Sequence, residues 1–132
     1  MGTQTFADVS AGVSAALAAY THALDGGRPE DIVATFCSDG SCDIPGLGAF
    51  QGHDALRDAY SGFKPQDSMR HVVVNTQITE WNDDEAKATS DVIVLGKGDA
   101  GWSIAIVGQY EDTLHRDGDR WRFHHRAASF IS

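Results

Sequence analysis

The chain has 132 residues, which suits one domain spanning 1–132 around one core. At 42% hydrophobic and 22% charged residues it has the composition of an ordinary globular protein. Asp and Glu outnumber Lys and Arg by 19 to 10, a formal net charge of −9, which argues against nucleic acid and anionic membranes, both of which are bound through basic surfaces.

No apolar run approaches the ~20 residues of a membrane span. Met1 to Thr5 lacks the charged and apolar regions of a secretory leader, so a cytoplasmic location is expected. Cys37 and Cys42 have no second pair with which to build a four-cysteine zinc site, and two reduced thiols are expected.

Residues 7–25 are predicted as a helix, because Val13, Ala16, Leu17, Tyr20 and Leu24 recur at three- and four-residue spacings. Gly26-Gly27 ends it. Asp25 therefore lies in the last turn, where a carboxylate meets the negative end of the helix dipole. By spacing alone it reads as a solvated charge, with His22 as a surface partner. Pro29 starts a short second helix, with Ile32, Val33 and Phe36 on its buried side. The turn-rich stretch 37–50 holds a short strand at 41–44, and Gly52-His53-Asp54 opens a third helix.

From residue 69 the hydrophobic period changes to two. Strands are predicted at 69–81, 85–97, 102–116 and 120–131, with Asp117-Gly118 as the last hairpin turn. Helices followed by a meander give an α+β pattern. Residues 92–95 and 104–107 are apolar on both faces, so something must cover each face. A homo-oligomer built on the outer face is expected, since large exposed apolar patches are rare on monomers.

The chemistry centres on Arg70-His71-Val72-Val73-Val74-Asn75. Alternation puts His71, Val73 and Asn75 on one face. A histidine there is either a core residue bonded to a carbonyl or the base of a wet cavity. Imidazole suits proton abstraction near neutral pH, and a carboxylate on its second nitrogen would fix the tautomer. Metal and cofactor chemistry has no motif here: His124 and His125 point to opposite faces, and no phosphate loop or nucleophile elbow occurs. Arg126 falls on one strand face with Arg122 and His124, which reads as a solvated face.

Leu24-Asp25, Arg70-His71 with Asn75, and the blocks 91–96, 108–112 and 117–123 together carry a resemblance over the whole chain. It resembles the SnoaL-like branch of the nuclear transport factor 2-like superfamily. The nearer model there is the hexachlorocyclohexane dehydrochlorinase type, and scytalone dehydratase is more distant. The resemblance implies a cone-shaped α+β fold, with three N-terminal helices on a strongly curved, mostly antiparallel sheet. It implies a cofactor-independent lyase or isomerase in which Asp25 and His71 form a proton-abstracting dyad acting on a small, largely apolar molecule. It places Tyr20, Cys42, Val92, Val94, Ile106 and Arg126 at substrate-binding positions, with Arg126 or Tyr20 holding developing negative charge. Tyr20 and Cys42 stand where the dehydrochlorinase has lysine and tryptophan, so dechlorination itself does not carry over. The same fold also hosts polyketide cyclases and non-catalytic binding proteins. Family members form dimers and trimers, and no metal or cofactor is expected for this chain.

Overall fold

Helix α1 spans Phe6–Asp25. Thr5 caps it: its hydroxyl accepts from the Asp8 N–H, while the Asp8 carboxylate accepts from the Thr5 N–H. The predicted stripe of Val13, Ala16, Leu17, Tyr20 and Leu24 is the buried face, and Val9 extends it toward the N-terminus. Gly27, at φ +64°, supplies the left-handed turn after the last residue. Helix α2 is Pro29–Ala34 and α3 is His53–Ser61, the latter burying Leu56 and Tyr60. These elements belong to a computed structural model that describes residues 3–63 and 68–131. Met1 and Gly2, part of the stretch read for leader character, lie outside that range.

Phe36 does not continue α2. It opens strand β1, Phe36–Ile44, which is longer than expected and forms a hairpin with β2, Gly48–Gln51. Strands β3 (Met69–Trp81), β4 (Glu85–Gly98), β5 (Gly101–Asp117) and β6 (Arg120–Ile131) match the predicted spans to within a residue. The sheet order is β2-β1-β6-β5-β4-β3. Among the described residues only β1 and β6 pair in parallel. The result is an unclosed α+β cone, as expected. The stripe of α1 packs on Phe36, Ala86, Ala88, Leu114, Trp121 and Phe123 of its inner face.

Several register shifts interrupt the ladder of this sheet, and three of them bear on the site. Asn75 and Thr76 together face Ser90, with Asn75 at φ +56°. Ala105 is an extra residue between the Val94–Ile106 and Leu95–Ile104 pairs. His124 is an extra residue between the Thr113–His125 and Leu114–Phe123 pairs. Each bulge bends its strand, and each also inverts the inside–outside alternation beyond it. Two expectations fail for that reason. Asn75 does not share a face with His71; it is exposed and donates to Asp91 at 2.9 Å. Arg126 does not lie on a solvated face with Arg122 and His124; it turns inward with Phe123 and is fully buried.

Candidate active site

The end of α1 lies over the start of β3. Asp25 is not a solvated end charge: its side chain is 11% exposed and that of His71 is 10% exposed. One carboxylate oxygen, Oδ1, lies 2.6 Å from His71 Nδ1, and Oδ2 accepts the His71 backbone N–H at 2.9 Å. Two charge-assisted bonds offset the unfavourable position of a carboxylate at a helix C-terminus. They also fix the imidazole. A carboxylate only accepts, so Nδ1 carries the proton and Nε2 presents a lone pair. Nε2 has no hydrogen-bond partner among the described residues and is not sealed in the core.

The ring of His71 lines a cavity of about 310 Å³. Its apolar wall includes Leu24 of α1, Leu47 of the β1–β2 turn, Phe63, Val92, Val94 and Ile106. The expected residues Tyr20, Val92, Val94 and Ile106 thus share the cavity with His71. Besides the imidazole, the polar groups on its described wall are the phenols of Tyr20, Tyr60 and Tyr110. Tyr20 and Tyr60 bond to each other at 2.6 Å. Burial pushes both hydroxyls above the ordinary tyrosine range, so they act as neutral donors. Tyr60 and Tyr110 were not singled out by sequence. Tyr110 belongs to an alternation, with Gly108, Tyr110 and Asp112 buried and Gln109 and Glu111 exposed, that marks it as inward-facing.

Two expected site residues stand behind the cavity wall. Cys42 is buried on β1 opposite Arg126 and Phe50, with its thiol beside Tyr60. Burial pushes that thiol up, which makes it a poor nucleophile. Arg126 makes a bidentate ion pair with Asp112, at 2.8 and 3.0 Å. Its guanidinium is stacked among Tyr110, Tyr20 and Phe123, at 3.7, 4.3 and 4.3 Å from their ring centres. Its Nη1 is sealed from solvent and has no hydrogen-bond partner among the described residues. Burial opposes the charge, but Asp112 outweighs it and keeps the guanidinium more firmly protonated than usual. Arg126 therefore reaches the cavity only through the rings stacked on it.

A larger groove of about 500 Å³ runs between α1, α2 and the β5–β6 turn. It is bordered by Ala15, Asp31, Asp119 and Arg120 and contains no histidine or phenol. Among the described residues no His, Cys, Asp and Glu side chains gather as a metal site. No described helix is long and apolar enough to cross a membrane.

The fold recurs in solved structures. A Catenulispora acidiphila protein in complex with S-DNPA is 26% identical, with a TM-score of 0.81 over 94% of each chain. A hexachlorocyclohexane dehydrochlorinase, type 2, is 17% identical, with a TM-score of 0.80 over 94% of this chain and 86% of that one. A Novosphingobium aromaticivorans protein provisionally assigned as a scytalone dehydratase is 22% identical, with a TM-score of 0.78 over 93% of this chain and 84% of that one. Among curated proteins none matches. Residues 7–127 match the SnoaL-like domain, and the chain belongs to that family.

Proposed function

We propose that the protein is a cofactor-independent lyase or isomerase that removes a carbon-bound proton from a small, largely apolar substrate. The observation that carries this is an imidazole clamped by Asp25 with its free nitrogen toward an apolar cavity. Such a base is oriented in advance and partly shielded from water, the two conditions under which a histidine is effective at neutral pH. The dehydrochlorinase and the provisional dehydratase among the structural neighbours support the same reaction class. A protein that only binds needs the cavity but not the dyad.

The test does not need the natural substrate. 5-Nitrobenzisoxazole loses one carbon-bound proton to a base and opens to a coloured cyanophenolate. The wild-type protein is expected to accelerate this opening over an equal concentration of free imidazole, and His71→Ala to return it to background, a loss of roughly 10²–10⁴-fold. Equal rates with the two proteins would sink the base, and binding without any acceleration would favour a carrier.

We further propose that copies associate through the outer face of the sheet. Val72, Ile93, Val107 and Ile131 stand in register across four strands, beside the Leu95–Ile104 pair. Ile104 and Ile131 are 64% and 65% exposed. Light scattering at micromolar concentration is expected to give a dimer or trimer, and Val107→Glu to shift it toward monomer. A monomeric wild type would refute the assembly.

A further inference from the structure

The base needs a counterpart. When a proton leaves carbon, negative charge appears on the substrate, and an apolar cavity must hold a donor where that charge collects. Four groups stand near enough to be considered. Arg126 is sealed behind the wall and committed to Asp112. Tyr20 and Tyr60 spend one of their two hydroxyl protons on each other, and the Tyr60 hydroxyl also borders the Cys42 sulfur. Tyr110 differs from all of these. Its ring lies on the cavity wall, its residue is only 5% exposed, and among the described residues no protein group hydrogen-bonds its hydroxyl. That oxygen is also not among the sealed, unpartnered atoms, so it opens onto cavity space.

Position favours it as well. Tyr110 packs in one cluster with Val92 and Val94, and Val94 is the register partner of His71. It is close enough to Asp25 to feel its charge. The Arg126 guanidinium lies 3.7 Å from the ring centre on one face. Burial raises the phenol above the ordinary tyrosine range, and the guanidinium opposes that rise, which makes the phenol a better donor than burial alone would.

We propose that Tyr110 is the oxyanion donor of this site and that the substrate is a neutral, ring-sized carbonyl compound with an acidic C–H next to its carbonyl. This rests on His71 as the base. Nε2 of His71 takes the proton. The C–H electron pair becomes a carbon–carbon double bond, and the carbonyl π pair moves to oxygen. The products are an imidazolium and an enolate, whose oxygen accepts the Tyr110 O–H. The enolate then regains the proton from the imidazolium at another carbon, or re-forms the carbonyl and an α,β carbon–carbon double bond while the β-substituent leaves with its bonding pair and takes the imidazolium proton. Arg126 is a positioning residue in this scheme, acting on the Tyr110 ring and not on the substrate.

The test is equilibrium dialysis of 4-nitrophenolate, a stand-in for the enolate, against 4-nitrotoluene, a neutral molecule of the same shape. The wild type is expected to prefer the phenolate. Tyr110→Phe should weaken phenolate binding by roughly 10- to 100-fold, the range for a hydrogen bond to a charged group, and leave 4-nitrotoluene within about twofold. Equal weakening of both ligands would mean a packing role and overturn the proposal, as would no weakening of either. His71→Gln is expected to keep the phenolate preference. If His71→Gln loses it and Tyr110→Phe does not, the imidazolium is the donor; Tyr110 is then overturned while the base stands. A phenolate preference that depends on Tyr110, in a protein that fails to open 5-nitrobenzisoxazole, would keep the donor and overturn the base.

Discussion

Asp25→Asn is expected to slow opening of 5-nitrobenzisoxazole by roughly 10²–10⁴-fold, as when the orienting carboxylate of a histidine base is replaced by its amide. The reason lies in the two bonds that Asp25 makes. Both of its oxygens accept, one from His71 Nδ1 and one from the His71 backbone N–H. An amide has only one oxygen. If that oxygen keeps the backbone N–H, the NH₂ group faces Nδ1 and forces it to become an acceptor. The ring proton then sits on Nε2, and the nitrogen facing the cavity can no longer take a proton. If the oxygen keeps Nδ1, the NH₂ opposes the backbone N–H and the strand is pushed away. Either way, stability should fall by only about 1–2 kcal/mol, the scale of one compromised hydrogen bond. A variant within threefold of the wild-type rate would show that Asp25 does not orient the base.

Arg126→Met should have the largest effect on stability. It leaves the Asp112 carboxylate, 4% exposed as a residue, without its bidentate partner in the core. Removing one partner of a buried ion pair costs about 3–5 kcal/mol, because the remaining charge stays desolvated and uncompensated. For a chain of this length that is a fall in melting temperature of roughly 10–20 °C. The stacking of the guanidinium on three rings adds to the loss. The double variant Arg126→Met with Asp112→Leu is expected to regain most of it, since a buried pair is often replaceable by apolar side chains of similar volume. Chemical denaturation of the single and double variants checks both statements. A single variant less than about 1 kcal/mol below wild type would show that the pair is not desolvated.

What the sequence by itself determined is local. The three- and four-residue spacing of Val13, Leu17, Tyr20 and Leu24 requires a helix with one buried face, and that face is the one observed. The change to a period of two at residue 69 marks four strands whose ends fall where Asp117-Gly118 and the other turn residues put them. Periodicity succeeds here because it depends on near neighbours alone. His71 stood out locally as a candidate base, but its meeting with Asp25 was legible only as a resemblance. They lie 46 positions apart, and no local rule says that the last turn of a helix will rest over a given strand.

Tertiary structure decided which way the strand residues face. Alternation counts residues, and one extra residue inverts everything after it. The bulge at His124 turned Arg126 from a surface position into the core, where only Asp112 makes its charge tolerable. The bulge at Asn75 and Thr76 took Asn75 away from the face of His71. Tyr110 carried its inward direction in the sequence, but not its free hydroxyl. Whether a buried phenol is committed or available depends on which side chains stop short of it, and that is set by packing across β4, β5 and α1.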